Sequence, residues 1–354
     1  MKDILKDKRI VVLSGGMSSE RDVSIKSGSA MYDALKAEGY DVRMIDCDGD
    51  VCRRLSDIGP DVVALALHGG AGEDGSIQGM LEVMGVPYTG SGVLASATAM
   101  DKAVSKCLFK TAGITVPPFM VLEKDGFDFD TLFSERPFDL PWVVKPCAQG
   151  SSRGVNIVKE EDEFILALRD AFAFDCRVLI EKFIKGHEIH VGILLGRVLG
   201  TVEVKPGREF YDYKAKYESS DTRYLIPPEV DEDVQEKART AGLAAYQALG
   251  CQGTARVDTI VSEDGAVYVL EVNTLPGMTE KSLMPKIAAH AGYSFVSLIE
   301  ETLVYALDKA ARPMSQTAPR PLRQEAARPS SQEDKESAGD APSGSASRPG
   351  CKRG

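Results

Sequence analysis

LEVNTLPGMTEKS, residues 270–282, starts like a strand and then breaks into a Pro-Gly turn. Residues two apart on a strand share a face, so Glu271 and Asn273 point to one place. Just upstream, TARVDTIV (254–261) and AVYVLEVN (266–273) flank Asp264-Gly265, a hairpin signal. Arg256 and Asp258 are also two apart. Pairing through a short turn sets the two pairs side by side, and two carboxylates and an amide oxygen converge. Such hard oxygen ligands on a rigid sheet suit Mg²⁺, which takes a few carboxylates plus phosphate oxygens. The competing reading is a solvated sheet face. It suits R-x-D alone better than it suits E-x-N followed by Pro-Gly.

The chain has 354 residues, which fits two or three domains, and its 43% hydrophobic content is ample for cores. A net charge of −11 argues against a general nucleic-acid or anionic-membrane partner. No apolar run is long enough for a membrane span, and the charged start MKDILKDKRIVVLSGG lacks a signal-peptide pattern. The 7 cysteines include no C-x-x-C and read as reduced thiols of a cytoplasmic protein.

RIVVLSG (9–15) reads as a buried strand, followed by a helix over 23–38 that Gly39 stops. YDVRMID (40–46) and DVVALAL (61–67) read as further strands, the last apolar throughout, as in a parallel sheet covered on both faces. This alternation predicts α/β for roughly the first hundred residues. A helix over 101–112 follows. WVVKP (142–146), GVNIV (154–158), RVLIEKF (177–183), EIHVGILLG (188–196) and RVLGTVEV (197–204) then predict an α+β unit. Residues 232–249 and 295–311 read as helices. Residues 312–354 are rich in Pro, Ser, Ala, Arg and Gly without an aromatic, and read as a disordered tail.

KPCAQGSSRG (145–154) is a strand-ending lysine followed by a small-residue loop, a shape in which backbone N–H groups can approach an anion. It is not a Walker loop, and SGGMSSERDVS (14–24) lacks G-x-G-x-x-G spacing. Glu181 and Glu188 flank a hinge. Two readings stand for them: a grip on a ribose, or ordinary strand-end charges. The spacing of His187 and His190 turns them to opposite faces of a strand, which argues against zinc.

These segments, in this order, resemble the ATP-grasp ligases, and most closely the D-alanine–D-alanine ligases. The likeness is carried by GGMSSERDVSIKSG (15–28), LHGGAGEDGSIQG (67–79), YTGSGVLASATAMDK (88–102), VVKPCAQGSSRGV (143–155), LIEKFIKGHEI (179–189), FYDYKAKY (210–217), RVD (256–258) and LEVNTLPGMTEKSLMP (270–285). It implies an ATP-grasp fold, α/β with α+β lobes, behind an N-terminal Rossmann-like domain. The implied divisions are 1–100 for that substrate domain, 101–188 for the small central domain and 189–311 for the C-terminal lobe, with the tail outside.

The resemblance also implies roles. Asp258, Glu271 and Asn273 would hold Mg²⁺ or Mn²⁺, two ions. Lys102, Lys145, Glu181, Lys182, Phe183, Ile184 and Glu188 would bind ATP, Glu188 at the ribose and 181–184 at the base, largely through backbone. Lys216 would lie near the γ-phosphate. Glu20 would take the first D-alanine's ammonium, with His68 near its carboxylate. Arg256 and the Gly277 N–H would form the oxyanion hole, and Ser282 would take the second carboxylate. Ser151 and Tyr217 would join Glu20 in a hydrogen-bonded set under a lid, and Tyr217 favours an amine as second nucleophile. Gln149, Arg153 and Phe183 depart from the commoner pattern, which bears on nucleotide affinity rather than on reaction class. A homodimer in the cytoplasm, serving peptidoglycan precursor synthesis, is the family expectation. The alternatives are another ATP-grasp carboxylate–amine ligase and a non-catalytic nucleotide-binding regulator.

Overall fold

The computed structural model describes residues 2–126, 136–205, 222–279 and 281–311. The expected strand–helix alternation opens the chain. β1 (Arg9–Ser14), β2 (Asp41–Asp46) and β3 (Val62–Leu65) form a parallel sheet in the order β2-β1-β3. Alternate residues of its apolar strands feed two cores. Ile10, Val12, Val62 and Ala64 pack with Met31 and Leu35 of the helix Arg21–Ala37 and with Leu298, Ile299 and Leu303 of the helix Phe295–Ala311. Val11, Leu13, Val63 and Leu65 pack instead with Leu55 and Leu81, from the helices Val51–Ile58 and Ser76–Met84.

β4 (Phe119–Glu123), β5 (Trp142–Pro146), β6 (Asn156–Val158) and β7 (Arg177–Lys182) form an antiparallel sheet in the order β4-β7-β5-β6. Buried Trp142 anchors its core, edge-on to Phe164 at 5.3 Å between ring centroids. β8 (Gly186–Leu194), β9 (Arg197–Lys205), β10 (Arg223–Leu225), β11 (Thr254–Ser262) and β12 (Val267–Asn273) form the third sheet, antiparallel in the order β10-β9-β8-β11-β12. The helix Glu232–Ala248 covers one face, burying Ala238 and Ala245 against Ile189, Val191 and Val257.

The predicted hairpin is β11–β12. Its turn closes with the Gly265 N–H donating to the Ser262 carbonyl at 2.8 Å, and Gly265 adopts φ 78°, a left-handed conformation natural to glycine. The register shifts between Asp258 and Thr259, a bulge that re-aims a side chain. The sequence reading of a tail at 312–354 lies outside the described residues.

Candidate active site

The hairpin register sets Asp258 opposite Glu271 and Arg256 opposite Asn273, while β8 sets His190 opposite Asp258 and Glu188 opposite Ile260. Two carboxylates directly across a sheet repel each other unless counter-charges intervene. Here Arg256 clasps both oxygens of Asp258, at 2.7 and 2.9 Å, and His190 Nδ1 lies 2.6 Å from Oδ1. Asn273 Nδ2 donates to Asp258 Oδ2 at 3.1 Å. Glu271 pairs with Lys102 Nζ at 3.1 Å. Burial alone would raise the Asp258 pKa, but Arg256 and His190 outweigh it and hold the carboxyl well below the usual range. Burial likewise works against charge on Lys102, yet Glu271 keeps that ammonium's pKa above its ordinary value.

This donor set fits Mg²⁺ in kind: two carboxylates and an amide, oxygen donors only. Among the described residues no three His, Cys, Asp or Glu side chains are grouped to hold a metal unaided.

The helix Lys102–Thr111 presents the facing lysine. Asp101 caps it, its Oδ1 accepting from the Ala103 and Val104 N–H groups at 3.0 Å, while Arg177 donates to Oδ2 at 2.7 Å. Lys102 Nζ also donates to the Gln149 carbonyl at 2.7 Å. Glu181 is only 2% exposed, which rules out a solvated strand-end charge. One of its oxygens faces Lys145 Nζ at 2.5 Å and the other Lys106. These two ammonium groups hold Glu181 below the usual carboxylate range against the effect of burial. Burial in turn pushes Lys106 down to about 8. The N–H groups of Lys182 and Phe183 already donate to the carbonyls of Pro118 and Pro141, each at 2.9 Å. Lys182, Phe183, Ile184 and Glu188 line one cleft together with Lys102, Lys145, Ser151, Asp258 and Glu271. The cleft is thus shared by the second and third sheets.

Glu20, at the start of the helix Arg21–Ala37, is tied to Ser151 by a hydrogen bond from the serine hydroxyl. Ser151 and Ser152 sit at φ 52° and 55°, a left-handed pair that non-glycine residues adopt only under constraint. The glycines leave room for the acid: a Cβ on Gly69 would come within 2.4 Å of Glu20 Oε2 and one on Gly150 within 2.7 Å, so a side chain at either would displace the carboxylate. His68 is buried, and burial pushes its imidazole down to about 4. Its Nε2 lies 3.0 Å from Ser27 Oγ, which accepts from the Met278 N–H at 3.2 Å. Ser282 Oγ accepts from the Thr279 N–H at 3.1 Å, at the N-terminus of the helix Leu283–His290. A Cβ on Gly277 would lie 2.7 Å from that hydroxyl. Lys216 and Tyr217 fall outside the described residues.

Three residues that the sequence did not single out join the site, and a fourth that it named only as an unsuited zinc ligand. Lys106 is one helical turn beyond Lys102, so i, i+4 spacing was the signal. Ser27 links His68 to the 274–279 turn. Glu73 accepts from the Gly69 N–H at 2.6 Å; burial and nearby Glu20 push its carboxyl up to about 8. His190, set aside as a zinc ligand, lies beside Asp258 and Glu188.

The chain is similar to known proteins over most of its length. The families described as D-ala D-ala ligase N-terminus and C-terminus match residues 53–91 and 108–304. A D-alanine–D-alanine ligase from Geotalea uraniireducens is 49% identical over 310 residues, covering 88% of this chain and 99% of that protein. One from Trichlorobacter lovleyi is 50% identical over 302 residues, 85% of this chain and 95% of that protein. The crystal structure of the D-alanine–D-alanine ligase from Bacillus anthracis complexed with ATP superposes with a TM-score of 0.75 at 38% identity, over 86% of this chain and 98% of that one. With its Asp258–Glu271 strand pair facing a lysine-lined cleft on an ATP-grasp fold, the chain belongs to the D-alanine–D-alanine ligase family.

Proposed function

We propose that this chain joins two D-alanines into D-alanyl-D-alanine at the expense of ATP, giving ADP and phosphate, for peptidoglycan precursor synthesis. The observation that carries the reading is one cleft shared by the oxygen donors Asp258 and Glu271, the ammonium groups Lys102 and Lys145, and Ser151 tied to Glu20. ATP lies between lobes 101–188 and 189–311, and the first substrate rests against domain 1–100. Glu188 takes the ribose, 181–184 the base, and Lys102, Lys145 and Lys216 the phosphates. Asp258, Glu271 and Asn273 would hold two Mg²⁺ or Mn²⁺ ions, which supply charge screening at the β- and γ-phosphates.

A carboxylate is a poor electrophile and must first be activated. Glu20 takes the ammonium of the first D-alanine, and His68, kept neutral by burial, stands near its carboxylate. That carboxylate attacks the γ-phosphorus in line, forming an acyl phosphate and releasing ADP. The neutral amine of the second D-alanine attacks the acyl carbon, and phosphate leaves with the carboxylate oxygen and takes up the proton that the amine sheds. Arg256 and the Gly277 N–H receive the oxyanion. Ser282, at a helix N-terminus, takes the second carboxylate. Tyr217, with Ser151 and Glu20, closes the lid and excludes water that would hydrolyse the acyl phosphate. Lys102 and Arg256, which neutralise Glu271 and Asp258, also serve phosphate and substrate.

We further propose a cytoplasmic homodimer, as the family resemblance implies; among the described residues no helix is long and apolar enough to cross a membrane. The test is phosphate release with ATP and Mg²⁺, offering D-alanine, L-alanine, or D-alanine with D-serine or D-lactate, with products weighed by mass spectrometry. D-alanine-dependent release with D-alanyl-D-alanine as product is expected. Nucleotide binding without D-alanine-dependent release would overturn the substrate assignment and leave only the ATP-grasp reading.

A further inference from the structure

We propose that His190 is a positioning residue that joins Glu188 and Asp258 into one unit, so that ribose recognition and cation binding reinforce each other. The inference rests on the roles proposed above for those two carboxylates. His190 lies directly opposite Asp258 across the β8–β11 pair, and Glu188 is two residues back on the same face of β8. The imidazole is 1% exposed, so its polar atoms must find partners within the protein. Nδ1 lies 2.6 Å from Asp258 Oδ1. Nε2 lies 3.0 Å from Glu188 Oε1, near enough to pair but poorly aligned for a hydrogen bond.

A buried nitrogen without an aligned partner costs free energy, and that cost is recovered when the partner swings into line. A carboxylate has two acceptor oxygens. When one oxygen of Glu188 takes a ribose hydroxyl, the other can turn toward Nε2. The ring is then fixed from both sides, which holds the Asp258 carboxylate in the orientation a cation requires. An apolar residue at 190 would leave Asp258 to Arg256 and Asn273, and Glu188 without its brace.

The variants separate the two arms of the ring. His190→Asn keeps an amide nitrogen at the Nδ1 position, His190→Gln at the Nε2 position, and His190→Leu at neither. Calorimetry would compare ADP with 2′,3′-dideoxyADP, and electron paramagnetic resonance would follow Mn²⁺ binding in the presence of ADP. His190→Leu should weaken Mn²⁺ binding by about 10- to 100-fold and abolish the preference for ADP. His190→Asn should restore Mn²⁺ affinity but not the ribose preference, and His190→Gln the reverse. Three variants equally impaired in both readouts, or unimpaired in both, would overturn the proposal. If the unmutated protein binds both nucleotides alike, the ribose reading of Glu188 falls with it. If the unmutated protein and all variants discriminate equally, only the role of His190 falls.

Discussion

Glu73 carries a pH signature that follows from its surroundings. Burial and the neighbouring Glu20 push its carboxyl from the ordinary 4.5 up to about 8. The folded chain therefore keeps a proton that the unfolded chain has shed. Its contribution to stability is complete below about pH 4.5 and is lost as pH rises through about 8. Glu73→Gln removes that dependence, so its melting temperature should gain on the parent's as pH rises from about 4.5 to about 8 and gain no further above that. A gap that stays constant with pH in a fluorimetric melting series would contradict a half-buried acid that keeps its proton. Thiols differ by the same logic. Burial pushes Cys147 up to about 12, and a thiol without thiolate character is inert. Iodoacetamide should label exposed Cys52, Cys107 and Cys176, and spare Cys47, Cys147 and Cys251, in a peptide mass map. Neither property was legible in sequence. A glutamate in a glycine-rich loop does not declare whether the loop closes over another acid.

The helix Lys102–Thr111 presents two lysines one turn apart, one to Glu271 and one to Glu181. Its first turn is fixed by Asp101, which also receives Arg177 from β7. Asp101→Ala should cost about 1 kcal/mol for the lost cap and raise the KM for ATP more than it lowers kcat. Urea unfolding and steady-state kinetics would check both, and an unchanged KM would contradict the account of how Lys102 is aimed. At this scale the sequence was most readable for β11–β12. Period-two alternation and Asp-Gly predicted the hairpin, and the pairing of Asp258 with Glu271 followed from a short turn. The loop at 147–154 was readable as small and polar, but not its left-handed serines, which depend on Glu20 closing against them from a distant segment.

The described residues form three sheets, and the cleft lies where two of them meet. The order of motifs along the chain was enough to suggest this fold. Their convergence was not, because it depends on long-range packing such as that of the helix Phe295–Ala311 on the first sheet. The match to the ligase C-terminal family ends at residue 304. Truncation after Ala311 should therefore leave kcat and melting temperature unchanged; a fall in either would give residues 312–354 a role that their composition does not suggest. The central claim is that a D-alanine carboxylate is activated by phosphorylation. It is tested most directly with D-alanine carrying ¹⁸O in its carboxylate, ATP and Mg²⁺, and mass analysis of the released phosphate. One ¹⁸O atom in phosphate per dipeptide formed is predicted, since the attacking oxygen leaves with the phosphoryl group. Unlabelled phosphate accompanying dipeptide would contradict the acyl-phosphate route.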